Sequence, residues 1–215
     1  MSRAPHRFDR VVFDVDSTLV SIEGIDELAK WRGVAVASLT ERAMRGDVAL
    51  EEVYGLRLRR VRPGARELAR LGALYVRKIV PGAAATVAAL LRAGIDVRIV
   101  SGALRPALLP LMRKLRIDGS RVAAVDVRLD ARGRYAGFDE LSPLARADGK
   151  REVVAALLPK RGTAFVGDGA TDLAARPAVE RFVAFTGVAS RPAVVAGADA
   201  VARDFRTLRR VLGLP

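Results

Sequence analysis

Two pairs of aspartates follow short apolar runs, and their spacing could support chemistry. Asp14 and Asp16 follow Val11–Phe13, so on a strand their side chains would share a face. Asp168 and Asp172 follow a second apolar run, within VGDGATDL. Carboxylates held close together repel each other, and a divalent cation such as Mg²⁺ relieves that repulsion by binding their oxygens. The pattern indicates a metal site, although turn acids at strand ends would explain either pair taken alone.

Two further elements suit a phosphate group. Ser101-Gly102 follows an apolar run and offers a hydroxyl and an unhindered backbone N–H just before a predicted helix. Lys150 stands at the start of another predicted helix, where its charge opposes the helix dipole. A catalytic role is one reason for a cation there. A plain turn and a solvated surface lysine are the alternatives when each element is taken alone.

Short apolar runs alternate with helical patterns along most of the chain, which predicts a doubly wound parallel sheet with helices on both faces. Strands are predicted at residues 11–13, 95–100, 122–127, 163–166 and 182–185, and helices at 82–93, 103–115, 150–158, 171–175 and 205–212. The stretch 128–138 has Arg132-Gly133 between alternating residues and predicts a hairpin.

One section breaks this alternation. Between about residues 21 and 77 the apolar residues recur only at helical spacing, as in Ile25, Leu28 and Ala29. The sequence therefore predicts a catalytic core formed by residues 1–19 and 78–215, with a helical cap, residues 20–77, inserted after the first strand.

The composition indicates a globular protein, with 51% hydrophobic and 28% charged residues in a chain of 215. The net charge of +13 suits an anionic partner, and the densest basic run, Arg57–Arg66, is either a solvated helix face or a functional patch. The chain has no cysteine, its N-terminus does not resemble a signal peptide, and no apolar run could span a bilayer. We expect a soluble cytoplasmic protein without an N-terminal regulatory domain.

The order of these motifs resembles that of a known family. DVDST, then SG, then a lysine at a helix start, then GDGATD resembles the haloacid dehalogenase (HAD) superfamily. Within it, FDVDSTLVSIEGIDELAK, TERAM and YAGFDE are similar to the phosphoserine phosphatases, and the similarity covers nearly the whole chain. This resemblance implies a HAD-like fold and Mg²⁺-dependent hydrolysis of O-phospho-L-serine through an aspartyl-phosphate, the last step of L-serine biosynthesis.

The resemblance also implies a role for each core residue. Asp14 would be the nucleophile, and Asp16 would protonate the leaving oxygen and then deprotonate the attacking water. Mg²⁺ would be held by Asp14, the backbone carbonyl of Asp16, and Asp168, with Asp172 supporting that site. The phosphoryl oxygens would be held by Ser101, Gly102, Lys150 and Thr171.

The cap would supply the contacts that select the substrate and would close over it as a lid. By the resemblance, Glu23 would pair with the substrate's ammonium group and Arg57 with its carboxylate, although the register could shift to Arg59 or Arg60. Met44 would line the apolar wall. A helix N-terminal acid, a surface charge and an ordinary core residue are the respective alternatives.

Two positions depart from the family's pattern. Ala103 stands where the family commonly has a second glycine beside the substrate, so a positive φ is disfavoured there. Leu50 stands where an aromatic residue often lines the lid pocket, which bears on the range of substrates.

Other functions remain open from sequence alone. The same intermediate could pass its phosphoryl group to another alcohol, such as homoserine, which would make the protein a phosphotransferase. The charge of +13 could instead serve nucleic-acid binding, but that function would not explain two pairs of acids at strand ends. We expect a small-molecule substrate, no nucleic acid or membrane partner, and a monomer or homodimer.

Overall fold

The computed structural model describes residues 8–36 and 50–214, and it confirms the predicted α/β alternation. Met44 lies outside the described residues, and the side chain of Leu50 is not described. The strands are β1 (Arg10–Phe13), β2 (Asp96–Leu104), β3 (Val122–Val125), β4 (Val127–Leu129), β5 (Tyr135–Phe138), β6 (Thr163–Gly167), β7 (Arg181–Phe185) and β8 (Ala200–Ala202).

The helices fall into the inserted segment and the core. Those of the insert are α1 (Gly24–Arg32), α2 (Leu50–Val61) and α3 (Ala65–Arg77). Those of the core are α4 (Ala83–Arg92), α5 (Arg105–Leu115), α6 (Gly149–Leu157), α7 (Ala170–Leu173), α8 (Pro192–Gly197) and α9 (Phe205–Val211). In the part of the chain that the model describes, no helix has the length and apolar character needed to cross a bilayer.

Six strands form one parallel sheet in the order β3-β2-β1-β6-β7-β8. Val11, Val12 and Phe13 of β1 are fully buried because helices cover both faces of such a sheet. The chain runs outward from β1 to β2 and β3, and then returns to add β6 on the other side of β1. The carboxyl ends of β1 and β6 therefore lie at the point where strand order reverses, which is where open α/β sheets bind ligands.

Two details differ from the sequence prediction, and one further prediction is confirmed. Ser101 and Gly102 do not end a strand, because β2 continues through them to Leu104 with a register shift against β3. The short elements α8 and β8 were not predicted. The predicted hairpin is present as the antiparallel pair β4–β5.

The insert leaves and re-enters the core through two adjacent segments. Val20 and Ile79 form an antiparallel bridge, and the Ser21 N–H donates to the Lys78 carbonyl at 2.9 Å. Between these points α3 buries Leu68, Leu71 and Tyr75 at helical spacing and packs against α5 of the core. The exact division between cap and core remains a prediction.

Candidate active site

Three aspartates meet at the carboxyl edge of the sheet. Asp14 follows β1 and Asp168 follows the neighbouring strand β6. One carboxylate oxygen from each of Asp14, Asp168 and Asp172 lies within 4.8 Å of the others, and all three residues are buried. Clustered oxygen donors of this kind suit a hard divalent cation.

A close backbone approach brings Asp172 into this cluster. A Cβ atom on Gly167 would lie 2.3 Å from Asp172 Cγ, so only glycine leaves room for the carboxyl group. The Gly169 N–H then donates to Asp172 Oδ2 at 2.9 Å, at the start of α7. The Gly-Asp-Gly sequence therefore shapes the site, in addition to turning the chain.

Lys150 bridges two of the aspartates. Its Nζ lies 2.9 Å from Asp14 Oδ2 and 2.5 Å from Asp172 Oδ1, and the residue is 5% exposed. Burial acts to lower the pKa of Lys150, but the two carboxylates more than offset it, so the pKa lies above its ordinary value. The ammonium group therefore stays charged. Its helix begins at Gly149, where a Cβ would collide with the Pro143 carbonyl.

Asp168 and Asp172 have raised pKa values, because burial and the charge of Asp14 disfavour their charged forms. Burial together with Asp14 raises the pKa of Asp172 to about 7, although Lys150 acts in the opposite direction. Burial and Asp14 also raise the pKa of Asp168, which Arg191 and Thr18 partly offset. Without a cation, the negative charges of the clustered carboxylates therefore repel each other and are only partly neutralised by Lys150 and Arg191.

Asp16 occupies a different setting from the three clustered acids. Its Oδ2 accepts a hydrogen bond from the Gly24 N–H at 3.0 Å, whereas its Oδ1 is buried and has no hydrogen-bond partner in the described part of the chain. Burial, Glu23 and Asp14 raise its pKa well above the ordinary value. The nearby Tyr75 hydroxyl acts to lower this pKa, although within the described residues it has no hydrogen-bond partner of normal geometry. A protonated Asp16 is suited to give a proton to a leaving group.

The predicted phosphate-binding residues lie on elements next to the cluster. Ser101 is buried in β2 beside β1, and its Oγ accepts a hydrogen bond from the Ala103 N–H at 3.2 Å. Ala103 is not among the residues with positive φ, so its Cβ introduces no backbone strain. Thr171 is half-buried in the first turn of α7. Of the predicted phosphate-binding residues, Lys150 contacts Asp14 directly, and phosphate binding by Ser101, Gly102 and Thr171 remains a prediction.

Glu23 stands at the entrance of the insert, just before α1. Ser17 has a φ of +52°, a left-handed turn that is uncommon for a residue with a side chain and a form of strain that clusters at functional sites. The Ser17 Oγ donates to Glu23 Oε1 at 2.7 Å. Burial raises the pKa of Glu23, while this hydrogen bond lowers it. The acid is therefore held beside the cluster instead of lying free on the helix surface.

The three candidate arginines of α2 differ in where they lie. Arg57 pairs with Asp26 of α1, its side chain is 23% exposed, and its Nε is buried without a partner. Arg59 and Arg60 are exposed; Arg59 lies 3.9 Å from Glu140, and Arg60 donates to the Ala35 carbonyl. Of the three, Arg57 is the one that turns inward, although its contact with a substrate remains a prediction.

Two residues at the site were missed by sequence reasoning. Arg191, just before α8, lies 3.2 Å from Asp168 Oδ2 and 3.8 Å from Glu23 Oε1. Tyr54 of α2 donates its hydroxyl to the Gly102 carbonyl at 2.7 Å, and its ring packs edge-on against Phe138. Tyr54 is one helical turn from Leu50, so an aromatic residue is present on the same side of the helix. No local motif marks either residue.

We expect a divalent cation to stabilise this site more at pH 8 than at pH 6. Without metal, Asp172 in the folded protein holds a proton that the unfolded chain releases, so stability falls as pH rises from about 4 to 7. At pH 6 a cation that binds the site must first displace the proton on Asp172, and this reduces the stability that the cation adds. Saturating Mg²⁺ should raise the melting temperature by about 5–10 °C at pH 8 and by roughly half as much at pH 6. Equal shifts, measured by calorimetry against EDTA-treated protein, would contradict this.

Comparisons with known proteins show which family the chain resembles. The sequence model of the haloacid dehalogenase-like hydrolase family matches residues 11–176. Phosphoserine phosphatase of Bos taurus is 37% identical over 202 residues, covering 92% of this chain and 90% of that protein. The chloroplastic phosphoserine phosphatase of Arabidopsis thaliana is 36% identical over 207 residues, covering 93% of this chain and 70% of that protein.

A solved structure of a substrate-bound phosphoserine phosphatase complex has the same fold. It superposes with a TM-score of 0.78 over 97% of this chain and 100% of its own, at 24% identity. The chain belongs to the haloacid dehalogenase-like hydrolase family, and within that family its similarity is to the phosphoserine phosphatases.

Proposed function

We propose that this protein hydrolyses O-phospho-L-serine to L-serine and phosphate. The observation that carries the proposal is Asp14, whose Oδ2 contacts Lys150 while its buried Oδ1 has no hydrogen-bond partner among the described residues. An unpartnered carboxylate oxygen beside a fixed ammonium is placed to attack phosphorus, because the ammonium neutralises charge on the phosphoryl oxygens. The sequence relatives named phosphoserine phosphatase support the choice of substrate.

The reaction needs two steps at one carboxylate. Asp14 Oδ1 bonds to phosphorus as the ester bond to the serine oxygen breaks, and protonated Asp16 gives its proton to that oxygen. Asp16, now a carboxylate, then takes a proton from a water molecule that attacks the aspartyl-phosphate. Phosphate leaves, and Asp14 and the proton on Asp16 are both restored. The raised pKa of Asp16 suits the first step.

The residues present fit a bound Mg²⁺. Asp14, Asp168 and the backbone carbonyl of Asp16 would hold it, with Asp172 in support, because the clustered carboxylate oxygens of these acids are the donors that a hard divalent cation prefers. When bound, Mg²⁺ supplies positive charge that offsets the phosphoryl oxygens and the clustered acids. Ser101, Gly102, Lys150 and Thr171 would orient the phosphoryl group.

The insert would recognise the amino acid part of the substrate. Glu23 would bind the ammonium group, and Arg57 would exchange its contact with Asp26 for the substrate carboxylate. Met44 would contribute to the apolar wall. We place the activity in the cytoplasm, as the last step of serine biosynthesis, in a monomer or homodimer.

The direct test is phosphate release from a panel of small phosphomonoesters, with and without Mg²⁺. Phosphoserine should have the highest kcat/KM, and EDTA should abolish release. Adding homoserine to phosphoserine reactions and analysing the products separates hydrolysis from transfer. Formation of phosphohomoserine in place of free phosphate would make the protein a phosphotransferase.

Replacing Glu23 by Ala should impair phosphoserine selectively. Loss of a charge-assisted contact with the ammonium group should lower kcat/KM about 10- to 100-fold. The same change should alter kcat/KM less than about threefold for 3-phosphohydroxypropionate, which lacks the amine. Glu152→Ala, at an exposed acid paired with Arg146, is the matched control. Equal losses on both substrates would rule out the ammonium contact.

A further inference from the structure

A large cleft separates the helical insert from the β4–β5 hairpin, and it does not depend on the proposed function. Its volume is about 930 Å³, and its lining includes none of the residues assigned to catalysis or substrate binding. Thirteen of the described residues line it, and we call it the arginine cleft because six of them are arginines. These are Arg32, Arg60, Arg62, Arg66, Arg132 and Arg134.

The charge of the arginine cleft is strongly one-sided. Lys and Arg make up 37 of 215 residues, so an even distribution would put about two of them among thirteen. Among the described lining residues, Glu67 is the only acid. The arginines come from three distant parts of the sequence, so the excess is created by folding and not by one basic run. Convergent charge of one sign attracts an anion of the other.

Within the described residues, only some of these guanidinium groups form ion pairs with carboxylates. Arg32 pairs with Glu67, and Arg134 pairs with Asp130 at 2.9 Å. Within residues 8–36 and 50–214, neither Arg66 nor Arg132 forms an ion pair with a carboxylate. These two lie on opposite walls, Arg66 on α3 of the insert and Arg132 in the turn between β4 and β5.

The wall of the cleft also contains an unsatisfied buried hydroxyl. Tyr135 is 9% exposed, and its Oη is buried with no hydrogen-bond partner within residues 8–36 and 50–214. The guanidinium of Arg62 lies over its ring, 5.7 Å from the centroid. A buried hydroxyl without a partner is unfavourable, and a ligand oxygen could accept from it only after the Tyr135 side chain moved toward the cleft.

We propose that the arginine cleft binds a small polyphosphate, meaning two or more linked phosphate groups. Guanidinium groups bind phosphate oxygens with two parallel hydrogen bonds, and each linked phosphate can meet a different arginine. The volume far exceeds that of a single phosphate, and Arg66 and Arg132, which form no ion pair within the described residues, stand on opposite walls. Inorganic tripolyphosphate and the tail of a nucleoside triphosphate share this chemistry.

Such a ligand would join the insert to the core. The two walls are connected by a backbone hydrogen bond from the Ala65 N–H to the Gly133 carbonyl at 2.8 Å. A polyphosphate contacting Arg66 and Arg132 would add a second, charged connection. Binding would therefore hold the insert in place relative to the core.

The test is calorimetric titration of tripolyphosphate, ATP and adenosine into the full chain with Mg²⁺. The Asp14→Asn background prevents turnover, and saturating phosphoserine fills the catalytic site. We expect one tripolyphosphate per chain, and at least tenfold weaker binding after Arg66→Ser with Arg132→Ser. Arg151→Ser with Arg161→Ser, two exposed arginines outside the cleft, removes the same charge and should change the affinity less than twofold.

Each possible result of the titration either supports the proposal or overturns it. Similar affinities for tripolyphosphate and ATP, or tighter binding of ATP, support the proposal and tell which source of polyphosphate fits better. Equal losses in the two double variants, binding seen only in a parallel titration without phosphoserine, equal binding of adenosine, or the absence of saturable binding would overturn it. Binding of a short oligonucleotide more than tenfold tighter than tripolyphosphate would also overturn it, in favour of a nucleic-acid site.

Discussion

Replacing Asp14 by Asn should lower kcat/KM for phosphoserine at least about 10⁴-fold, because an amide cannot serve as the nucleophile. Asn has nearly the same shape, and Lys150 keeps its contact with Asp172. The substitution also removes one of the like charges that raise the pKa values of Asp16, Asp168 and Asp172. The melting temperature should therefore not fall by more than a few degrees.

Steady-state phosphate release and thermal unfolding of the same preparation test this prediction. Asp148→Asn changes an exposed aspartate just before Lys150 and should leave both quantities unchanged. Activity of the Asp14→Asn protein within tenfold of the original would exclude the covalent route. A large loss of stability would mean that inactivity reflects misfolding.

Replacing Lys150 by Met should damage both stability and activity. The buried ammonium neutralises Asp14 and Asp172, and removing one partner of a buried ion pair typically costs about 3–5 kcal/mol. The loss should be largest at pH 8, because Asp172, whose pKa is about 7 even with Lys150 opposing the rise, can take up a proton at lower pH. Without the ammonium beside the phosphoryl group, turnover should fall about 10³-fold.

Urea unfolding at pH 8 measures the first effect, and phosphate release measures the second. Lys160→Met, at an exposed lysine, is the matched control. Adding Asp172→Asn to Lys150→Met should restore part of the stability but none of the activity, because it removes the uncompensated charge and not the need for a cation. A loss below about 1 kcal/mol in the single variant would show that the carboxylates do not depend on Lys150.

Much of the core followed from the sequence because its signals are local. Apolar runs of β-branched residues predict strands such as β1, and Gly-Asp-Gly predicts the tight turn before α7. Parallel strands then bring their carboxyl ends together, so the meeting of Asp14 with Asp168 follows from the fold class. The strand order does not follow from these signals, because pairing depends on packing between distant segments.

The elements that were missed have weak or ambiguous signals. Strand β8 has three residues, Ala200–Ala202, too few to show alternation. Ser101-Gly102 was placed at a strand end, because glycine and serine usually interrupt strands, yet β2 accommodates them through a register shift. In each case the tertiary pairing decides the local conformation.

The insert could be predicted as helical but not in its contacts. Tyr54 and Arg191 reach the site from elements that no motif marks, and their partners Gly102 and Asp168 are distant in sequence. Conversely, the arginines of the basic run Arg57–Arg66 lie partly near the candidate active site and partly in the arginine cleft. Arg57 turns toward Asp26, whereas Arg60, Arg62 and Arg66 line the arginine cleft.

The central claim is that Asp14 becomes phosphorylated, and trapping the intermediate tests it most directly. Beryllofluoride mimics a phosphoryl group on a carboxylate, so a crystal structure of the protein with beryllofluoride and Mg²⁺ would locate the reacting oxygen. The account predicts beryllium bonded to a carboxylate oxygen of Asp14, with Lys150 in contact with the fluorides. Beryllofluoride bound to a different residue, with Asp14 left unmodified, would contradict it.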